Sequence, residues 1–242
     1  MSGQMHFHKL NDDSSWIWTL NGKRYLVDPW FTPSQVDLHP WFSEQFHVTK
    51  QPLMDELGDI DFIFVSHPFT DHCNKETLLQ LDASIPVIAD RAVKNKIAKL
   101  GHFKTVRSLE DAEITIEKTG SGSFLDPVHN AFVFLSEAGK LLYAPHGSRV
   151  KSLPKVDVVI STTTLYKLPF WIGGTINLGL ANAQQLKDLT SASIVIATHD
   201  EQKIGKGLVE KLARKKYDDL NNLSSIRKLN AGESFVFPFD CE

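Results

Sequence analysis

The sequence predicts an α/β protein made of two similar β-rich halves, with helices on the outside of the sheets. One observation is an internal repeat: each half holds a Gly-Lys hairpin, a short apolar run, a helical pattern and a second apolar run, in that order. The other is that the runs FIFV, VVI and IVIA are apolar at every position instead of alternating apolar and polar residues. Such runs are typical of strands that helices cover on both faces.

The elements of the first half are expected in a fixed order. GKRYLVDP at residues 22–29 is read as the second arm of a hairpin, because Gly supplies the positive φ of a tight turn. DIDFIFVS at residues 59–66 and ASIPVIAD at residues 83–90 are read as strands. One helix is expected from residue 74 or 75, and another over residues 91–100.

The second half repeats this order. GKLLYAPH at residues 139–146, KVDVVIST at residues 155–162 and ASIVIATH at residues 192–199 correspond to the three strands, with a helical pattern at residues 182–189. A further amphipathic helix is expected over residues 208–216. The closing segment, residues 224–239, is predicted to form two strands around an Asn-Ala-Gly turn and to close a sheet edge.

Composition limits the classes of function. No linker or low-complexity tract divides the 242 residues, so a single domain over residues 1–242 is expected. The net charge is −3, and no basic run exceeds the triplet Arg214, Lys215 and Lys216, which argues against a nucleic-acid partner. No apolar run approaches the length of a membrane span, so no membrane partner is expected. The oligomeric state stays open, and a homo-oligomer is possible.

Cysteine content and the amino terminus bear on location. Only Cys73 and Cys241 occur, which is too few for a disulfide framework and agrees with a reducing compartment. The first residues lack the apolar core of a signal peptide, so a cytoplasmic location is expected. Cys73 lies beside a cluster of histidines and acids, where it is either a buried filler residue or a nucleophile.

Candidate functional residues lie just past the carboxyl ends of predicted strands. Asp28, His67, His146 and His199 each follow such a run, and ligand sites collect at these strand ends in layered α/β proteins. Imidazole and carboxylate groups suit a Zn²⁺, Mn²⁺ or Fe²⁺ ion. The non-metal alternative is that Asp71 caps the following helix, with the histidines as ordinary structural residues.

The segment around these residues resembles a family signature. Residues 67–72, HPFTDH, are similar to the HxHxDH signature of the metallo-β-lactamase superfamily, with Phe69 where the second histidine belongs. LVDP, VHNAF with His129, YAPHG and LNAGESF extend the resemblance from about residue 6 to residue 237. The chain is most similar to the branch of predicted metal-dependent hydrolases that includes the ascorbate-6-phosphate lactonases.

The resemblance implies a four-layer αββα sandwich of two similar halves, with a metal centre at one edge of the sheets. By analogy, His67, the missing histidine and His129 would form site one, and Asp71, His72 and His199 would form site two. His146 aligns with the carboxylate that bridges two ions. These two departures from the family pattern favour a mononuclear or incomplete dinuclear centre, with one ion at site two and His146 as a fourth donor, or no ion at all. Asp28 is expected to be an acceptor that orients a ligand histidine.

The predicted function is that of a metal-dependent hydrolase. A divalent ion, with Zn²⁺ favoured over Mn²⁺ or Fe²⁺, would activate water against an ester, lactone or phosphoester bond of a small-molecule substrate. Asp71 would orient that water and act as base, and His146 or His67 would stabilise the oxyanion or protonate the leaving group. The alternative is a binding or regulatory domain whose site has eroded, which Phe69 and His146 favour.

Two further segments leave alternatives open. The aromatic stretch at residues 32–47 either covers the site and binds an apolar or ring-shaped substrate group, or packs against the sheet edge. WIGGTINLG at residues 171–179 either presents backbone amides to a phosphate or is a flexible loop, and the loop is favoured.

Overall fold

The computed structural model describes residues 3–123 and 126–237. Cys241 and the end of the predicted closing segment lie outside the described residues. Strands up to residue 120 are Met5–Lys9 (β1), Trp16–Leu20 (β2), Lys23–Val27 (β3), Ser34–Asp37 (β4), Ser43–Phe46 (β5), Phe62–Val65 (β6), Val87–Ala89 (β7), Val106–Arg107 (β8) and Thr115–Gly120 (β9).

The later strands are Ala131–Ser136 (β10), Gly139–Ala144 (β11), Val158–Ser161 (β12), Leu165–Lys167 (β13), Thr175–Leu178 (β14), Ile194–Ala197 (β15), Ile204–Lys206 (β16), Arg214–Lys216 (β17), Ile226–Arg227 (β18) and Ser234–Phe237 (β19). The helices of the described residues are Lys75–Leu78 (α1), Arg91–Ala98 (α2), Leu180–Thr190 (α3) and Gly207–Leu212 (α4).

Two mixed sheets pack face to face. The first has the order β19-β1-β2-β3-β6-β7-β8, and the second has the order β18-β15-β12-β11-β10-β9. Large apolar side chains from both sheets fill the space between them, with Trp18 of the first sheet 5.3 Å from Phe134 of the second, ring centre to ring centre. Burial of this aromatic surface is the main force that holds the sheets together.

Helices cover the outer faces of both sheets. Leu78 of α1 and Val93 and Ile97 of α2 pack on the outer face of the first sheet, while Ala183 and Leu186 of α3 pack on the second. The layers are therefore helix, sheet, sheet and helix. The predicted αββα architecture with two similar halves is confirmed.

Both predicted hairpins form, each with its tip at or next to the Gly-Lys dipeptide that predicted it. β2 and β3 pair in antiparallel fashion around Asn21 and Gly22, which have φ of 52° and 73°. β10 and β11 pair around Glu137 and Ala138, directly before Gly139, whose φ is 131°. The second strand of each hairpin then pairs in parallel with the next strand of its sheet, β3 with β6 and β11 with β12.

Several predicted boundaries were wrong. The helix expected over residues 208–216 ends at Leu212, because Arg214–Lys216 forms strand β17 beside β13. The closing segment does form two strands, but they do not pair with each other. β18 joins β15 in the second sheet, and β19 joins β1 at the edge of the first. The helix expected from residue 74 or 75 begins at Lys75 and ends after one turn.

The two segments whose structure the sequence left open, residues 32–47 and 171–179, each contribute to a small three-stranded sheet. β4 pairs with β5, and β5 pairs in turn with β16, so the aromatic stretch at residues 32–47 contains a hairpin. β14 pairs with β13, so the favoured flexible-loop interpretation of residues 171–179 was wrong for the part that forms this strand. No helix of the described residues is both long and apolar enough to cross a membrane.

Candidate metal centre

The parallel strands bring the predicted residues to one rim of the sandwich. Asp28 follows β3 directly, and His67 stands two residues after β6, its parallel neighbour. In the second sheet, His146 and His199 each stand two residues after β11 and β15. Because parallel strands end at the same edge, the sequence interval between these residues does not separate them in space.

Two of these residues have an unusual backbone conformation. Asp28 and His199 adopt φ of 44° and 56°, in the left-handed region that side chains disfavour by about 1–2 kcal/mol. Both bends follow a strand end, and both residues are buried in the centre. Strained backbone held by the surrounding structure is common at functional sites.

Nitrogen and oxygen atoms that can bind a metal converge in two overlapping sets. One set is His67, His72 and His146, and the other is Asp71, His72 and His199. Within each set, one donor atom from each residue lies within 4.8 Å of the others. His72 belongs to both sets, so five of the six predicted ligands form one continuous cluster.

Each histidine of the centre has its Nδ1 engaged by an oxygen atom. The pairs are His67 with Ser66 Oγ at 2.6 Å, His72 with Asp28 at 2.8 Å, His129 with Asp126 at 2.7 Å, His146 with Asn177 Oδ1 at 2.8 Å and His199 with Asp13 at 2.5 Å. A carboxylate or amide oxygen only accepts, so the Nδ1 atoms facing them donate. Ser66 donates its own proton to Asp28, so its oxygen accepts from His67.

This pattern fixes the tautomer of the neutral rings. A neutral imidazole that donates from Nδ1 has a lone pair on Nε2, which is the form that binds a metal. His72 Nε2 and His146 Nε2 lie 3.1 Å apart. Two nitrogens that bind one Zn²⁺ at about 2.05 Å in tetrahedral geometry are roughly 3.3 Å apart, so the spacing fits a shared ion.

His67 supplies a second sign of a cation site. Its Nε2 is buried and has no hydrogen-bond partner among the described residues. A buried nitrogen without a partner is costly, by about 1–3 kcal/mol, unless another species satisfies it. The residues present therefore fit a bound divalent ion.

Asp71 is the carboxylate of the cluster. Its Oδ2 lies 3.5 Å from His199 Nε2 and 3.8 Å from Lys203 Nζ, and its Oδ1 lies 4.0 Å from His72 Nε2. Against the burial that would raise it, His72 and Lys203 hold the pKa of Asp71 below its ordinary value. Asp71 is therefore ionised at neutral pH.

Charge differs among the imidazoles. Burial, followed by the neighbouring imidazoles, lowers the pKa of His67 and His146 well below the ordinary value. Burial acts in the same direction on His72, but the carboxylates of Asp28 and Asp71 outweigh it and raise that pKa. At pH 7 the rings of His67 and His146 are therefore neutral and can offer a lone pair to a metal ion.

The sixth predicted ligand, His129, stands at the margin. Its ring centre lies 4.4 Å from that of His146, but it does not join either donor set. Phe69 stacks on His129 with 5.2 Å between ring centres and lies nearly parallel to His67 at 6.3 Å. The phenyl ring thus lies against both imidazoles expected at site one.

Sequence reasoning missed the residues that hold the ligands in place. Asp13 is fully buried and contacts His199 and Lys203, and Lys203 lies between the carboxylates of Asp13 and Asp71. Asp126 supports His129 at a spacing of three residues, which could have been noticed in DPVH. Asp13, far from His199 in sequence, has no such local signal.

Asp28 has the supporting position that the sequence suggested. Besides His72 Nδ1, its carboxylate accepts hydrogen bonds from the Ser66 backbone and hydroxyl and from the Tyr143 hydroxyl. All of these groups are buried. Asp28 therefore links the two sheets through one carboxylate.

Two structural alternatives from the sequence can now be decided. The residue that caps α1 is Asn74, whose Oδ1 accepts from Thr77 N, so Asp71 is not the cap. Cys73 is buried in the apolar layer beneath α1, and burial raises the pKa of its thiol to about 11. A protonated, buried thiol has the character of a filler residue.

A cavity of about 620 Å³ opens onto the centre. Asp71, His129 and His146 line its inner end, and Phe69 lines it beside them. Further walls come from the turn between β4 and β5 and from the segment between β13 and β14. The volume is that of a small-molecule site.

Comparison with known proteins agrees with this architecture. The family model described as the beta-lactamase superfamily domain matches residues 9–199. A search of curated proteins gives no match. Among solved structures, an isothiocyanate hydrolase from Delia radicum gut bacteria is similar, with a TM-score of 0.70 and 18% identity over 96% of this chain and 98% of that one.

Two further structures show the range of chemistry on this fold. A possible metal-dependent hydrolase from Veillonella parvula has a TM-score of 0.67 and 18% identity over 97% of this chain and 99% of that one. A diiron beta-hydroxylase from Streptomyces venezuelae has a TM-score of 0.60 and 14% identity over 99% of this chain and 55% of that one. The shared fold thus carries more than one reaction type.

Proposed function

This chain belongs to the beta-lactamase superfamily, and from that premise we propose that it is a metal-dependent hydrolase with one divalent ion. Asp71, His72 and His199 would hold the ion, with His146 as the fourth donor. The observation that carries the proposal is the orientation of the imidazoles, whose Nδ1 atoms all face oxygen acceptors and leave Nε2 for a cation.

The ion would polarise the substrate as a Lewis acid and lower the pKa of a bound water towards neutrality. Zn²⁺ is favoured over Mn²⁺ or Fe²⁺. Asp71, which is ionised and at the inner end of the cavity, orients water and takes its proton. The oxygen of that water adds to the electrophilic carbon or phosphorus, and the bond to the leaving oxygen breaks.

His67 and His146 contribute as neutral imidazoles beside the reacting group. His146 lines the cavity, and Asn177 fixes the orientation of its ring. Because each neutral ring keeps its proton on Nδ1, the one that the ion does not engage first takes up, at Nε2, the proton that Asp71 removes from water. It can then transfer that proton to the leaving oxygen. Products are a carboxylic acid and an alcohol from an ester, the ring-opened hydroxy acid from a lactone, or a phosphate and an alcohol from a phosphoester.

Metal content and turnover test this proposal together. Protein stripped with a chelator and reloaded separately with Zn²⁺, Mn²⁺ or Fe²⁺ should bind about one equivalent and hydrolyse a member of a panel of esters, lactones and phosphoesters. The variant Asp71→Ala should lose at least about a hundredfold in kcat. His102→Ala, which removes a histidine outside the centre, is the matched control. Turnover that resists complete removal of metal would overturn the proposal.

A binding or regulatory domain is the second candidate. Phe69 favours it, because a phenyl ring replaces a ligand and stacks against His129. The same preparations distinguish the two candidates. Protein that binds less than about a tenth of an equivalent of any ion, and turns over nothing in the panel, would favour the binding domain.

A further inference from the structure

The substrate class can be narrowed from the surroundings of the cavity, if the proposed function holds. The four most exposed large apolar side chains of the described residues are Leu38, Phe170, Trp171 and Trp41, with 90%, 81%, 70% and 64% of their surface accessible. Exposed aromatic rings on this scale mark contact surfaces. All four lie on the two segments that form outer walls of the cavity.

Each segment lines the cavity with its inner residues and carries exposed apolar rings beyond them. In the turn between β4 and β5, Leu38 and Phe42 face the cavity and Trp41 packs edge-on against Phe42 with 5.9 Å between ring centres. In the segment between β13 and β14, Leu168 and Ile172 face the cavity next to Phe170 and Trp171. Apolar surface therefore continues from the cavity to its rim.

The conformation of Leu38 is a separate observation at the same place. Its φ is 63°, in the left-handed region that leucine disfavours, and its side chain is almost fully accessible. Neither burial nor an easy backbone conformation accounts for a leucine at this position. Strain of this kind is found at ligand-binding segments.

The charges that line the cavity disfavour an anionic substrate. They are the carboxylates of Asp37, Asp71 and Asp126 and one cation, Lys96. The Lys96 ammonium already donates to the carbonyl oxygen of Pro68. The ion and Lys203 offset Asp71 at the inner end, but farther out an anionic group of the substrate would face Asp37, Asp126 and an ammonium group that is already occupied. The desolvation of such a group, away from the ion, would go uncompensated.

We propose that the substrate is an uncharged ester or lactone with an apolar chain or ring. The hydrolysable group lies at the ion, and the apolar part lies over Phe69 and between the segments that carry Leu38 and Phe170. This inference excludes phosphorylated sugars as substrates, including those expected from a likeness to sugar-phosphate lactonases. The occupant is the substrate rather than a membrane or a second chain, because the apolar surface is continuous with the cavity that reaches the centre.

Binding without turnover gives the first test. The neutral fluorescent probe N-phenyl-1-naphthylamine should bind both wild-type protein and Asp71→Ala, and the double variant Trp41→Ser/Phe170→Ser should weaken binding at least tenfold. Val48→Ser/Leu53→Ser is the matched control, since its side chains are 52% and 55% accessible but lie on neither of the two segments that wall the cavity. Equal loss of binding in both double variants would overturn the inference.

Turnover gives the second test. With metal-loaded protein, kcat/KM for p-nitrophenyl esters should rise by up to about three- to fourfold for each added methylene from acetate to octanoate, the increment expected from burying a methylene group. Trp41→Ser/Phe170→Ser should flatten this rise, whereas Val48→Ser/Leu53→Ser should preserve it. Hydrolysis that is independent of chain length, or that prefers anionic phosphoesters, overturns the inference and leaves the hydrolase proposal standing.

Failure of the two proposals can be distinguished. Rim-dependent probe binding with no turnover under any metal supports the apolar site and rejects the hydrolase. Co-sedimentation with phosphatidylcholine vesicles that Trp41→Ser/Phe170→Ser abolishes, with no chain-length dependence, overturns the inference in favour of a membrane surface. A concentration-dependent dimer that the same variant dissociates overturns it in favour of a second copy of the chain.

Discussion

The two sides of the histidine cluster differ in charge. On one side, Phe69 lies against His129 and His67, and no carboxylate joins the donor set that contains His67. On the other side, Asp71 accompanies His72 and His199, and fully buried carboxylates stand behind both imidazoles. A dication is stabilised where negative charge is concentrated. Under the proposed function we therefore expect the Asp71 side to hold the ion and the Phe69 side to contact the substrate.

Removing a ligand from each side gives the largest contrast. His199→Ala should reduce bound metal from about one equivalent to below about a tenth, and kcat by at least about a hundredfold, because an imidazole donor is lost. His129→Ala should keep the metal stoichiometry. Elemental analysis of both variants, with circular dichroism to check folding, makes the comparison. Equal metal loss in the two variants would abolish the distinction between the sides.

Changing a residue that orients a ligand should have a smaller effect on metal binding than removing the ligand itself. Asp28→Asn should weaken metal affinity about 10–100-fold, because the carboxylate that orients His72 becomes a neutral amide. Competition with a chromophoric chelator measures the affinity. Asp126→Asn, which alters the partner of His129, is the control and should change affinity little. A larger effect of Asp126→Asn would place the ion on the other side.

A single substitution should make the two sides more alike. Phe69→His adds an imidazole beside His67 and His129, which would provide three imidazole donors for a second ion. We expect isothermal titration to show a second, weaker equivalent of Zn²⁺, since His146 stands in place of a bridging carboxylate. Phe69→Leu should stay at one equivalent. If Phe69→His also stays at one, the phenyl ring is not what prevents a second site.

Metal loading should raise thermal stability modestly. At a free ion concentration of 100 times Kd, one bound ion adds about 2.7 kcal/mol to the free energy of unfolding. For a chain of this length the expected rise in Tm is about 5–11 °C. Scanning calorimetry of stripped and reloaded protein measures it, and His199→Ala should show less than half of the rise.

Prediction from sequence succeeded where local chemistry determines structure. Gly22 and Gly139 marked hairpin tips, and apolar runs marked the buried strands that deliver His67 and His199 to one rim. It failed where distant pairing decides. Residues 214–216 have helical propensity, yet they pair with β13, and the closing strands divide between two sheets because each sheet has an open edge there.

The candidate site divides in the same way. His67, His146 and His199 stand just past strand ends, where their pattern is visible in the sequence. Several of the residues that support them, such as Asp13 and Lys203, have a role that depends on a contact across the fold. Lys203 and Asp13, separated by 190 positions, are joined by a 3.1 Å ion pair that no local pattern predicts.

Anomalous diffraction at the zinc absorption edge, from crystals of the zinc-loaded protein, tests the central claim most directly. The account predicts one peak, about 2.0–2.2 Å from His72 Nε2, from His199 Nε2 and from a carboxylate oxygen of Asp71. A peak between His67 and His129, two peaks of equal height, or no peak in the cluster would contradict it.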